Sequence, residues 1–220
     1  MDSKLIVIEG LDGSGKATQS KKLYDFIVSS GQKAKFITFP DYESNSSALV
    51  KMYLNGELGS SAADVNAYAA SSFYAVDRFA SFKKDWGHDY LSGTTIIADR
   101  YTTSNAIYQL AKLPNKEWDD FLNWLEDYEY NRLKIPKPNI VIYLDMEPEI
   151  SQHLLSGRYH GDETKKDLHE KDLEFLKSCR TSALYAADKL NWHVIRCYKD
   201  NSPISIDEIS ENIKDVLNNL

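Results

Sequence analysis

The sequence predicts an α/β fold, a doubly wound five-stranded parallel sheet flanked by helices, formed as one domain over residues 1–220. Three observations predict it. Short apolar runs rich in β-branched residues alternate with longer stretches of helical spacing, and strands separated by helices pair through parallel crossovers. The first of these runs, Leu5 to Ile8, enters a turn marked by Gly10, Gly13 and Gly15, and Lys16 then opens a helical pattern at Ser20, Leu23 and Ile27. A length of 220 residues suffices for one large domain of this class.

The elements follow in order. Lys33 to Phe39 reads as the second strand, ended by Phe39-Pro40. The stretches 46–54 and 64–84 are helical in pattern. Thr94 to Ala98 is the third strand and runs into Asp99-Arg100-Tyr101. Helical spacing returns at 103–113 and 116–132, and Pro136-Lys137-Pro138 breaks the chain before a fourth strand, Asn139 to Leu144, which ends at Asp145. Helices are expected again at 147–155 and 167–189, and Trp192 to Arg196 is the last strand. Ser205-Ile206-Asp207-Glu208 spells a capping box for a terminal helix with Ile206, Ile209, Ile213, Val216 and Leu220 on one face. Ligands of such sheets bind beyond the carboxyl ends of the strands. The expected site therefore gathers the glycine-rich loop, Phe39-Pro40, Asp99-Arg100, Asp145 and the loop after Arg196.

Bulk properties limit the partners. With 26 basic and 33 acidic residues the net charge is −7, which argues against a broad nucleic-acid or membrane surface. Cys179 and Cys197 show neither metal-ligand spacing nor a disulfide framework, so a reducing cytoplasm is the expected compartment. No apolar run approaches the roughly 18 residues of a membrane span, and the N-terminus shows no signal-peptide pattern.

The spacing from Gly10 to Gly15-Lys16 fits a phosphate-binding loop (P-loop). Glycines let successive backbone N–H groups turn toward phosphate oxygens, and the helix N-terminus adds partial positive charge. Gly10, Gly13, Ser14, Gly15, Lys16, Ala17 and Thr18 are the ATP-binding candidates, with Lys16 reaching the β- and γ-phosphates. Ala17 stands where the pattern places a Ser or Thr hydroxyl on Mg²⁺. The competing account is a glycine-rich turn that merely joins strand to helix.

Three further constellations carry chemistry. Tyr74 and Arg78 are four apart and share a helix face, an arrangement that stacks a base and hydrogen-bonds its edge or holds a phosphate. A buried tyrosine beside a solvated arginine is the plainer reading. Asp99-Arg100-Tyr101, followed by Ser104, Asn105 and Tyr108, faces the ligand end of the sheet, and a structural salt bridge between Asp99 and Arg100 is the alternative there. The segment 156–167 brings Arg158, Lys165 and Lys166 and has the composition of either a lid over phosphates or a solvated loop.

Taken in order, these motifs resemble those of the thymidylate kinase family, a P-loop nucleoside monophosphate kinase family, from Leu5 to about Asp172. Gly-Leu-Asp-Gly-Ser-Gly-Lys-Ala-Thr-Gln is similar to its P-loop, Phe39-Pro40-Asp41-Tyr42 to its Phe-Pro signature, and Tyr74 through Arg78 to its aromatic-x-x-x-Arg. Asp99-Arg100-Tyr101 resembles its Asp-Arg-Tyr/His signature, and Asp167-Leu168-His169-Glu170 the acid-x-x-Glu that closes its lid. The resemblance implies transfer of the γ-phosphoryl group of ATP to thymidine 5′-monophosphate (dTMP), with Mg²⁺ and as a homodimer. It implies catalytic roles for Lys16, Arg100, Asp12 and Arg158, and metal ligation by Asp12, Asp99 or Glu170. Acceptor contacts are implied for Asp12, Phe39, Pro40, Tyr42, Tyr74, Arg78, Arg100, Ser104, Asn105, Tyr108 and His169. Within that set, Tyr74 stacks on the base, Asn105 approaches its edge and Tyr108 the 2′-deoxy carbon.

Two departures stand out. Ala17 lacks the metal-directed hydroxyl, and Asp41 and Tyr42 occupy positions where many members carry an arginine on the acceptor phosphate. Arg78 and Arg100 are then expected to supply most of that charge. A deoxynucleoside kinase, or a kinase with shifted monophosphate preference, is the alternative function; a GTPase-like switch lacks its Asp-x-x-Gly on a later strand.

Overall fold

The computed structural model describes residues 4–158 and 172–219. The described strands of the main sheet are β1 (Leu5–Gly10), β2 (Ala34–Thr38), β3 (Thr95–Asp99), β4 (Ile140–Asp145) and β5 (His193–Arg196), all parallel in the order β2-β3-β1-β4-β5. β1 is central, in register with β3 on one side (Ile8 opposite Asp99) and β4 on the other (Ile8 opposite Ile142). The P-loop therefore leaves the middle of the sheet.

The alternation of strand side chains divides β1 between two cores. Leu5 and Val7 pack with Trp86, Tyr101, Phe121 and Ala183 under the helices of one face. Ile6 and Ile8 pack with Leu23 and Ile27 of α1 (Lys16–Ser29) and with Ile209 and Ile213 of α9 (Ile206–Asn218). On the first face lie α2 (Ala48–Leu54), α3 (Ala67–Ser81), α4 (Gly87–Leu91), α5 (Thr103–Tyr108), α6 (Trp118–Glu126) and α8 (Leu173–Lys189); α7 (Pro148–Arg158) packs on α8.

The expected helix over 64–84 is interrupted. A 3₁₀ turn at Ala62–Asp64 precedes α3, whose start is capped by Asn66 accepting from the Ala69 N–H (2.9 Å), and a π-helical turn, Phe82–Trp86, joins α3 to α4. The expected helix over 116–132 likewise begins as α6 and widens into a π-helical turn, Asp127–Arg132. The extra residue in that turn accompanies the complete burial of Glu129. The stretch 103–113 shortens to α5 followed by a 3₁₀ turn, Leu110–Lys112. Beyond β5 an unexpected hairpin forms, β6 (Tyr198–Lys199) and β7 (Ser202–Pro203), turning on Asp200 and Asn201 at φ 49° and 60°. Positive φ at both central residues matches the twist of a two-residue hairpin. Ser205 caps α9 as its sequence predicts, accepting from the Glu208 N–H at 3.1 Å. The expected α8 residues 167–171 lie outside the described residues.

Candidate active site

A cavity of about 420 Å³ opens beyond the carboxyl ends of β1, β2 and β3, where the P-loop meets α3 and α5. Its floor is Asp12, Gly13, Gly15, Lys16 and Ala17; Phe39, Pro40 and Tyr42 enter from β2, Tyr74 and Arg78 from α3, and Asp99 to Tyr101 from β3. Ser104, Asn105, Tyr108 and Gln109 close it from α5. Gly13 sits at φ 82°, and a Cβ there would stand 2.5 Å from the Ser151 carbonyl of α7, so only glycine lets the loop lie against that helix.

Cations converge on Asp12. Lys16, nearly buried, donates from Nζ to Asp12 Oδ1 (3.1 Å) and to the Leu11 carbonyl (3.3 Å). Arg100 Nη2 donates to the same Oδ1 (2.5 Å), and the Tyr108 hydroxyl to Oδ2 (3.0 Å). Burial alone would push the Asp12 carboxyl up, but the charges of Arg100 and Lys16 override it and hold it far below the usual carboxylate range. Burial and the neighbouring Arg100 charge push the Lys16 ammonium down, against the pull of Asp12 and Asp99.

Arg100 adopts φ 69°, a left-handed backbone that is strained for a side chain with a Cβ. Its neighbours hold it there. The Arg100 N–H bonds the Ile8 carbonyl (3.1 Å), the Phe39 N–H bonds the Asp99 carbonyl (3.1 Å), and the Tyr101 N–H bonds Glu9 Oε1 (3.1 Å). Glu9 is fully buried and also accepts from Thr103 Oγ1 (2.7 Å) and Ser104 Oγ (2.9 Å). Burial pushes its carboxyl up, opposed by Arg100 and these three donors. Ser104, an expected acceptor contact, thus lines the cavity with its hydroxyl committed to Glu9.

The Phe39–Tyr42 loop is pinned in the same way by Asp77 of α3, which accepts from the Asp41 N–H (2.9 Å) and Ser46 Oγ (2.6 Å). Tyr74, half-buried, meets Tyr53 edge to face at 6.4 Å and presents its ring to the cavity.

Arg78 departs from expectation. It is buried and held by Glu129, Nε to Oε2 at 2.8 Å and Nη2 to Oε1 at 2.5 Å. Its charge is neutralised there, so the expected sharing of the acceptor phosphate with Arg100 does not fit this geometry; Arg78 lines the cavity as one half of that ion pair. No ion pair joins Asp99 to Arg100 among the described residues, because Arg100 turns to Asp12. Asp145 is bound by Arg180 (2.7 and 3.0 Å). Gly10, Ser14 and Thr18 are not among the residues that line the cavity; Ser14 is buried, whereas Ala17 and Thr18 are exposed. Arg158 ends α7, and its side chain lies outside the described residues, as do Lys165, Lys166, His169 and Glu170.

For a divalent metal the donor set is sparse. No group of three metal-ligating side chains exists among the described residues. Asp99 Oδ1 is buried without a partner beside the P-loop. One or two carboxylates with phosphate oxygens and waters suit Mg²⁺; Asp99 has an oxygen to offer, whereas both Asp12 oxygens are taken by Lys16, Arg100 and Tyr108. Sequence reasoning missed Glu9, Asp77, Gln109 and Glu129. Only Glu9 carried a signal, a charge inside an apolar strand directly before the P-loop.

Comparison with known proteins bears on this geometry. A thymidylate kinase family model matches residues 8–205. The thymidylate kinase of Mycobacterium tuberculosis is 33% identical over 186 residues, covering 83% of this chain and 84% of that protein. The thymidylate kinase of Danio rerio is 26% identical over 216 residues, covering 98% and 90% respectively. A solved structure of thymidylate kinase from Candida albicans superposes with a TM-score of 0.72 at 22% identity, covering 99% of this chain and 92% of that one, and shares the fold. With its P-loop, Asp-Arg-Tyr turn and aromatic-x-x-x-Arg helix around one cavity, the chain belongs to the thymidylate kinase family.

Proposed function

We propose that the chain transfers the γ-phosphoryl group of ATP to dTMP, giving dTDP and ADP for dTTP synthesis. One observation carries the reading: Lys16 of the P-loop and Arg100 of the acceptor side reach the same carboxylate oxygen of Asp12. Two phosphate-binding cations within reach of one atom are spaced for two adjoining phosphates, the donor's and the acceptor's.

The residues divide the work. The backbone of 10–16 and Lys16 cradle the β- and γ-phosphates. The acceptor base lies on Tyr74 with its edge toward Arg78 and Asn105, and its phosphate lies on Arg100. Tyr108, holding Asp12 beside the sugar, fills the space that a 2′-hydroxyl would need. A phosphate oxygen is already ionised at neutral pH, so the transfer requires positioning and charge neutralisation rather than a strong base. As substrates enter, their phosphates replace Asp12 as the anion between Lys16 and Arg100. Asp99 and Asp12 would hold Mg²⁺, which when bound neutralises charge on the phosphates; the absence of a hydroxyl at Ala17 leaves the rest of its shell to phosphate and water. Arg158 and the lid cations Lys165 and Lys166 add charge to the γ-phosphate, His169 contacts the acceptor, and Glu170 is a further candidate ligand of Mg²⁺.

We further propose a homodimer and a cytoplasmic location. An apolar stripe on α3, Tyr68 and Val76 with Ser72 between them, is open to solvent next to Trp124 of α6 and supports self-association. Two free, buried cysteines suit a reducing compartment, and no described helix is long and apolar enough to cross a membrane. An ADP-release assay with ATP and Mg²⁺ tests the activity. Turnover with dTMP well above that with deoxyuridine monophosphate, thymidine or no acceptor is expected; turnover with thymidine would move the reading to a nucleoside kinase.

A further inference from the structure

Glu129 has no place in the reaction as described, yet it is completely buried behind the cavity lining and bonds two of the lining residues assigned to the base edge, Arg78 and Asn105. Besides binding Arg78 through both oxygens, its Oε1 accepts from Asn105 Nδ2 at 3.2 Å. The second Asn105 amide hydrogen goes to the Ser71 carbonyl at 3.4 Å. With both N–H groups drawn to Glu129 and Ser71, the amide plane is set and its oxygen is directed the other way. Arg78 is fixed as well, since its Nη1 also donates to the Tyr101 carbonyl (3.4 Å). One carboxylate therefore imposes a pattern on the cavity wall: a donor from Arg78 and an acceptor from Asn105.

That pattern has a chemical complement. The edge of thymine or uracil offers an acceptor at O4 and a donor at N3–H. Cytosine offers the reverse, a donor at its amino group and an acceptor at N3. An arginine has no acceptor to give, and an asparagine amide reads cytosine only if it rotates by a half-turn, turning its oxygen onto the Glu129 carboxylate. We infer that Glu129 is the positioning residue that makes the acceptor site select an imide base (thymine, uracil) against cytosine, by locking the Asn105 amide and the Arg78 guanidinium. The inference rests on reading the cavity as the dTMP site.

The test compares kcat/KM for dTMP and dCMP in wild type, Glu129→Gln and Asn105→Ala, with thermal unfolding to establish folding. In Glu129→Gln a carboxamide can donate to the rotated Asn105, so the dTMP/dCMP ratio is expected to fall at least about tenfold. Most of that fall is expected as a raised KM for dTMP, with kcat changed less than about threefold. Asn105→Ala leaves the Arg78–Glu129 pair in place, so its folding is independent of that buried charge. The ratio should fall there too, and Glu129→Gln added to Asn105→Ala should lower it much less than it does alone. A folded Glu129→Gln with an unchanged ratio, or an unchanged ratio in Asn105→Ala, overturns the inference. A wild-type protein inactive on dTMP would instead overturn the acceptor reading itself.

Discussion

Arg100 Nη2 lies 2.5 Å from Asp12 Oδ1 across 88 residues of sequence, and Lys16 Nζ reaches the same oxygen at 3.1 Å. Asp12 is thus the anion that the two cations of the site share. Replacing it by Asn leaves Arg100 and Lys16 facing each other, and Asp12→Asn should destabilise the protein by about 1–3 kcal/mol at pH 7. Because the Asp12 carboxyl is held below its unfolded value, its contribution is present above about pH 4 and is lost as pH falls through the folded value. Thermal unfolding at pH 7 and in strong acid checks this: the gap between wild type and variant should shrink only in acid.

Lys16→Met keeps the length of the buried stem and removes the charge at the phosphates. Turnover should drop by about 10²–10³-fold or more, with a far-UV spectrum like that of wild type. Retention of most activity would refute the assignment of the P-loop.

The ring of Tyr74 is expected to carry the base. Tyr74→Leu removes a stacking surface of about 1–3 kcal/mol, which should appear as a roughly 5- to 150-fold loss in kcat/KM for dTMP, mainly in KM. The KM for ATP should stay nearly constant in the same titrations.

Lys112 donates to the Tyr53 hydroxyl (2.7 Å) and the Val65 carbonyl (3.0 Å), both uncharged acceptors. Burial pushes its ammonium down to about 8. Between that value and about 10.4 the unfolded chain binds more protons, so this group's contribution to stability rises with pH over the window. The difference in Tm between wild type and Lys112→Met should shift in favour of wild type from pH 7.5 to 9.5; a constant difference would contradict the lowered value.

The exposed stripe of α3 predicts an oligomer. Wild type should sediment as a dimer, and Val76→Glu, placing a charge on a residue 48% exposed, should sediment as a monomer without loss of helical signal. A wild-type monomer at micromolar concentration would remove this face from consideration.

How far the sequence could be read depends on the range of each interaction. The strand positions, the P-loop and the capping of α9 follow from residues a few places apart, and the structure has them where the pattern places them. The breaks at Phe82–Trp86 and Asp127–Arg132 were not legible, because a π-helical turn has the same local composition as the helix it interrupts. Nor was the hairpin at Asp200-Asn201, whose strands are two residues each.

The sequence by itself determined the α/β order of elements, the phosphate-binding loop and the identity of the residues that gather at the ends of β1, β2 and β3. Only the tertiary structure decided how their charges pair. Arg78 and Arg100 are both arginines close to expected ligand-binding positions, yet one is neutralised by Glu129 and the other waits on Asp12. Those partners lie 51 and 88 residues away. Electrostatic pairing depends on distance in space and on burial, and neither is written in the spacing of residues along the chain.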